Sequence, residues 1–348
     1  MDDPKLHELC LGIPKIELHC HLYGTVRQST MLHLNRKAGL PLSEQEIKSF
    51  YHRGKKPKGV LRFFRALDEC LICSPSDIKR ITLEYLEDAS AHNIKYCEIF
   101  WNPTGTVKVS NIQYPEAQGA IIDAFRDGER KFGVIGRLIA SIDREGSNEE
   151  ALEMVDWMID NKRPELIGIG IDYREELGPP EKFIEAYTKA KQAGFKATAH
   201  AGEFGCPPAH IWTALDKLGV DRIDHGYTIL QDKKLIEKCK SQPIVFTVVP
   251  TNSYYLRILE PEEWATKHPI RGMIREGLRV FPNTDDPSFH NVNPTESWMM
   301  MVSFFGATIK DLKSFVENSI DAAWIDNETK KLWKATWLKY FDRYTNEK

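Results

Sequence analysis

The stretch IELHCHLYG, residues 16–24, reads as the start of a core strand whose far end carries bases. Ile16, Leu18 and Leu22 ask for a dry interior. His19 and His21 stand two residues apart, so a strand turns both imidazoles to the same side. Burying such a pair costs free energy unless something common to both offsets it.

Seven further runs of the same kind follow: IKYCEIFW (94–101), GVIGRLIASID (133–143), LIGIGID (166–172), KATAHAGE (196–203), RIDHG (222–226), PIVFTVVP (243–250) and RVFPNTDD (279–286). Between them lie segments with apolar residues every three or four positions, such as SDIKRITLEYLEDASAH and NEEALEMVDWMID. Strands alternating with helices imply a parallel sheet, and eight such units close most naturally into an α/β fold of the (β/α)8 TIM-barrel type. The stretch from about 25 to 75 is too long for a simple crossover and has its own helical pattern. It is read as a helical cap inserted after the first strand. No repeat, low-complexity tract or linker divides residues 1–348, which predicts a single barrel domain.

In such barrels the active site forms at the C-terminal ends of the strands. Those ends carry His19 and His21 on the first run, His200, Gly202 and Glu203 on the fifth, Asp224 and His225 on the sixth, and Asp285 and Asp286 on the eighth. Taken singly, each has an ordinary structural use, such as a satisfied core histidine or a helix-capping aspartate. Four strands placing such groups at one end of one barrel calls for a shared purpose. A divalent metal supplies it, because neutral imidazoles and a carboxylate are zinc ligands. His19, His21 and His200, with one carboxylate of the Asp285–Asp286 pair, form the expected set.

The bulk properties fit a globular enzyme. Hydrophobic residues make up 42% and charged residues 28%, and the formal net charge is only -3, so nothing advertises a face for nucleic acid or anionic lipid. A small-molecule partner is expected. No apolar run reaches the roughly 20 residues of a membrane span, and the first residues have no leader pattern, which predicts no membrane and a cytoplasmic location. The seven cysteines are an odd number at scattered spacings, which suits free thiols. Cys70-x-x-Cys73 lies within a helical pattern and is read as packing.

Together, H-x-H after the first run, HAGE at 200–203, DHG at 224–226 and NTDDP at 283–287 resemble the adenosine and adenine deaminases of the metal-dependent amidohydrolase superfamily. The resemblance runs from about residue 10 to 325. It implies that His19, His21, His200 and Asp285 bind one Zn2+ per chain. It further implies that Glu203 protonates purine N1 as hydroxide attacks C6, that His225 orients the hydroxide, that Asp285 also takes a proton and that Asp286 holds N7. The implied activity is hydrolytic removal of the 6-amino group of an adenine-type purine with release of ammonia.

Departures from the family pattern bear on the substrate. Tyr23 stands where adenosine deaminases carry a ribose-contacting Asp. Aligning IDYREELGPP on its prolines puts Glu175 at the purine N3 and N9 edge, where a carboxylate suits a free base and crowds a ribose. Tyr23, Glu175 and Gly202 are therefore expected on the substrate side. Phe63, Phe64 and Leu67 are candidates to cover the ligand. VPTNSYYLR at 249–257 departs from the family's usual C-P-x-S-N, and no role is assigned to it. An N6-substituted adenine or a modified adenine nucleoside is the alternative substrate. An amidohydrolase with another leaving group would show a bridging lysine or a second histidine pair, and a silent purine-binding relative would have lost a ligand or the proton donor.

Overall fold

The computed structural model describes residues 3–54 and 59–345. Its strands are β1 (Lys15–His21), β2 (Ile94–Trp101), β3 (Ile135–Asp143), β4 (Leu166–Asp172), β5 (Lys196–Ala201), β6 (Arg222–His225), β7 (Val245–Val248) and β8 (Arg279–Pro282). Each pairs in parallel with the next, in the order β1 to β8. The ring is completed where the chain leaving β8 meets β1. A parallel bridge joins Cys20 to Asp285, whose backbone N–H donates to His19 O and whose carbonyl accepts from His21 N–H. The (β/α)8 barrel expected from the eight runs is the observed architecture.

Helices cover the strands because their apolar stripes have nowhere else to go. Pro75–Ala91 and Tyr114–Phe132 lead into and out of β2, and Asn148–Asp160 follows β3. Their ends follow local chemistry. Pro75 sits in the first turn of its helix, a capping box between Ser147 and Glu150 opens Asn148–Asp160, and Gly133 closes Tyr114–Phe132 in the left-handed conformation.

The last four strands are shorter than their sequence runs. After β5, β6 and β8 the chain turns sharply, with positive φ at Gly202, His225, Gly226 and Asp285. Two of these residues are not glycine, and such conformations cost on the order of 1–3 kcal/mol each. The turns point side chains into the barrel mouth that a continuing strand would carry away from it.

Between β1 and Pro75 the chain forms the helices Gln28–Lys37, Glu44–Phe50 and Gly59–Ala66, ending in a π-turn at Leu67–Leu71. Phe63 is buried within this cap, against Phe50, Tyr51 and Phe289, while Leu61 and Phe64 face the cavity below. Of the three expected cover residues, therefore, Phe64 reaches the cavity, and Phe63 and Leu67 are core. All seven cysteines are free thiols. No helix among the described residues is long and apolar enough to cross a membrane.

Candidate active site

Alternation along β1 turns Glu17, His19 and His21 into the barrel and Ile16, Leu18 and Cys20 toward the helices. At the mouth the two histidines meet His200 from the end of β5 and Asp285 from beyond β8. One ligand-type atom from each of the four lies within 4.8 Å of the others. His21 Nε2 is 3.1 Å from His200 Nε2 and 3.2 Å from Asp285 Oδ1, and His19 Nε2 is 3.6 Å from the same oxygen. Ligands of a small tetrahedral dication stand about 3.3 Å apart. His19 Nε2 is buried with no hydrogen-bond partner, which is the state of a ligand atom reserved for an ion.

The remote nitrogens of the same rings explain why these atoms face inward. His19 Nδ1 lies 3.2 Å from Thr247 O and 3.0 Å from Thr247 Oγ1; His21 Nδ1 is 3.2 Å from Asp172 Oδ2, and His200 Nδ1 is 3.4 Å from Asp224 Oδ2. Acceptors beside Nδ1, hydrogen-bonded at His19 and at ion-pair distance at His21 and His200, favour a proton there and leave the Nε2 lone pairs to converge. The carboxylates are themselves held. Asn102 donates to Asp172 at 2.7 Å, and Thr198 and Thr247 donate to Asp224 at 2.8 and 2.7 Å. Burial works against charge on His21, yet Asp172 and Asp285 hold its pKa well above the usual histidine value. Asp285 shows the converse. Burial opposes its ionisation, but His19 and His21 hold it well below the usual carboxylate range. His200 shifts the opposite way to His21, burial and then the neighbouring His19 lowering its pKa; three imidazoles and one carboxylate are a donor set that fits a divalent metal.

Glu203 and His225 lie beside this cradle, with Glu203 Oε2 3.4 Å from His225 Nε2. Burial, reinforced by the nearby charge of Asp285, pushes the Glu203 carboxyl well above its usual range and favours its protonated form. Burial and then the neighbouring His19 push His225 well below the usual histidine value, so its ring is neutral. A protonated carboxyl and a neutral imidazole beside a cation site can give a proton to a bound molecule and orient a water against it.

A cavity of about 620 Å³ opens over these groups, lined among others by Glu203, His225, Asp286, Phe64, Phe204 and Tyr254. Gly24 lets Asp286 approach, because a β-carbon on Gly24 would lie 2.0 Å from Asp286 Oδ1 and 2.7 Å from its Cα. Tyr23 is buried in the wall and is no exposed rim residue. Its ring lines the cavity while its hydroxyl, 3.0 Å from both Asp68 Oδ1 and Thr106 Oγ1, is taken up by the protein.

Two expected substrate contacts are corrected by the structure. Glu175 accepts the backbone N–H groups of Gly202 at 2.8 Å and Glu203 at 2.9 Å, and its Oε1 is 2.8 Å from His210 Nδ1. It supports the HAGE turn from below, and Glu176 lines the cavity instead. The chain enters this stretch through Tyr173, a non-glycine residue with a φ of 67°. Gly202 likewise spends its N–H on Glu175 and does not offer it to the cavity. Sequence reasoning also missed Asp172, Thr247 and Asn252. For Asp172 a signal existed, an aspartate ending a strand at the catalytic face; for Asn252 the departure of VPTNSYYLR from the family pattern marked the segment without giving a role, and for Thr247 there was none.

Comparison with known proteins agrees with this arrangement. A family profile described as "Adenosine deaminase" matches residues 14–335. An adenine deaminase of Marinomonas sp. is 31% identical over 333 residues, covering 94% of this chain and 96% of the relative. Among solved structures, an amidohydrolase from Burkholderia ambifaria with bound Zn is 52% identical, with TM-score 0.97, covering 99% of this chain and 95% of that one. The adenine deaminase of Arthrobacter aurescens is 27% identical with TM-score 0.85, covering 96% and 99%.

Proposed function

This chain belongs to the adenosine deaminase family, and from that premise we propose that it is a zinc-dependent hydrolytic deaminase removing the 6-amino group of an adenine-type purine. The observation that carries the reading is the convergence of His19, His21, His200 and Asp285 beside a buried Glu203. Those four residues would hold one Zn2+, in keeping with the zinc in the Burkholderia relative. The ion, when bound, supplies a Lewis acid that makes water a nucleophile near neutral pH.

The chain's own residues account for the rest. Glu203 delivers a proton to ring N1, which lets the ring lose aromaticity at C6. Neutral His225 holds the attacking water in line, and Asp286 accepts a hydrogen bond at the N7 side. Asp285, beyond its place in the cradle, takes a proton from the water. The aromatic and aliphatic side chains of Phe64, Leu61 and Phe100 keep bulk water from the reacting face.

A second reading concerns the size of the substrate. The cavity volume falls within the range of roughly 300–1,000 Å³ typical of pockets that bury whole drug-sized ligands, more than a bare purine needs. With Glu175 turned beneath the site and Glu176 lining the cavity in its place, this reading rests on the cavity's size. A substituted adenine or adenine nucleoside is therefore the alternative to the free base. Loss of ultraviolet absorbance by adenine, adenosine, 2'-deoxyadenosine, N6-methyladenine and N6-isopentenyladenine with zinc-loaded protein tests both readings. Turnover of at least one is expected, and the second reading predicts that a substituted form exceeds adenine in kcat/KM. Inertness toward all five would overturn the assignment to adenine-type purines.

A further inference from the structure

Glu203 has two carboxyl oxygens, and only one can face the substrate as the proton donor. Asn252 Nδ2 donates to Glu203 Oε1 at 2.9 Å, and Asn252 is completely buried. The direction of this bond is fixed from the other side. Asn252 Oδ1 accepts the backbone N–H groups of Tyr254 at 3.1 Å and Tyr255 at 3.4 Å. Reversing the amide would set its NH2 against two N–H donors, so the network permits one orientation. A donor pointed at Oε1 keeps that oxygen an acceptor.

We propose that Asn252 is a positioning residue that confines the proton of Glu203 to Oε2, the oxygen on the His225 side of the cavity. The inference rests on the reading of Glu203 as the proton donor. In the step, the Oε2–H bond breaks as the N1–H bond forms, and the negative charge left on Glu203 is met by the Asn252 N–H. Water adds its oxygen to C6. One water proton restores Glu203, and the other joins the departing amino group as ammonia.

The substitution Asn252→Asp separates this role from support of the loop. An aspartate still accepts the Tyr254 and Tyr255 amides, but it presents an acceptor to Oε1 and draws the shared proton to the wrong oxygen. The experiment compares Asn252→Asp, Glu203→Gln and the double variant, each loaded with zinc, for kcat, KM, metal content and melting temperature. The expected result is a fall in kcat of about 100-fold for Asn252→Asp, with KM within about threefold and metal content and melting temperature held. In the Glu203→Gln background the same change should alter the residual rate less than about twofold, because residues acting through one proton are not additive.

A Glu203→Gln variant that is inactive beside an Asn252→Asp variant with near-normal kcat would overturn this inference alone. Near-normal kcat for Glu203→Gln would overturn the reading beneath it as well. Losses that multiply in the double variant, or that track a fall in metal content, would assign Asn252 to the loop and also overturn the inference. If Asn252→Asp does not accumulate as folded protein, Asn252→Ala carries the same comparison.

Discussion

Glu203→Gln is expected to lower kcat by about 10²–10⁴-fold while the protein retains its metal. Glutamine matches the shape of glutamic acid and can still accept the Asn252 N–H through its oxygen. What it lacks is a transferable proton. None of the four metal-cradle side chains is altered, so metal content measured on the purified variant should equal that of the parent. The split between lost turnover and retained metal is the signature of a proton donor. Turnover within a few-fold of the parent would remove Glu203 from that role.

Asp285→Ala should remove metal and activity together. The side chain is a member of the cradle, but the bonds that close the barrel at this position belong to its backbone, which donates to His19 O and accepts from His21 N. The barrel can therefore close without the carboxylate. Alanine also has to occupy the left-handed conformation now held by Asp285, a strain on the order of 1–2 kcal/mol that a folded barrel tolerates. With the anion gone, the carboxylate set that offsets a divalent charge is broken, and Asp172 pairs with only one of the three histidines. Metal analysis should find a deep deficit, with turnover near background. A fully metallated Asp285→Ala protein would show that the carboxylate is no ligand.

The eight strands were legible because a parallel strand covered on both faces writes a nearly continuous apolar run, and the site was legible because its polar residues interrupt those runs at one end. Helix existence followed from spacing, as in Asn148–Asp160. What failed to show was how loops turn. Glu175 was placed at the substrate edge by counting from the prolines, a count that cannot register the left-handed turn at Tyr173. Tyr23 follows directly on the His19-x-His21 motif, yet its hydroxyl partner, Asp68, comes from the cap 45 residues away, and no local pattern records that contact. Asn252 sits in a loop departing from the family pattern, and its meaning appears only when β5 and the chain beyond β7 are brought together.

These failures share a physical cause. Periodicity reports which face of a regular element is buried, whereas the groups that tune this site act across elements through single hydrogen bonds. The support of His21 by Asp172 and of His19 by Thr247 belongs to this class. So does the support of the HAGE turn by Glu175.

The most direct test of the central claim is a titration of metal-free protein with zinc, following ammonia release from whichever adenine-type purine the panel identifies. The account predicts negligible release without metal, a linear rise on addition of zinc and a break at about one equivalent per chain, as expected for a single cradle of four ligands. Full ammonia release by the metal-free protein, or no release at any zinc content, would contradict it.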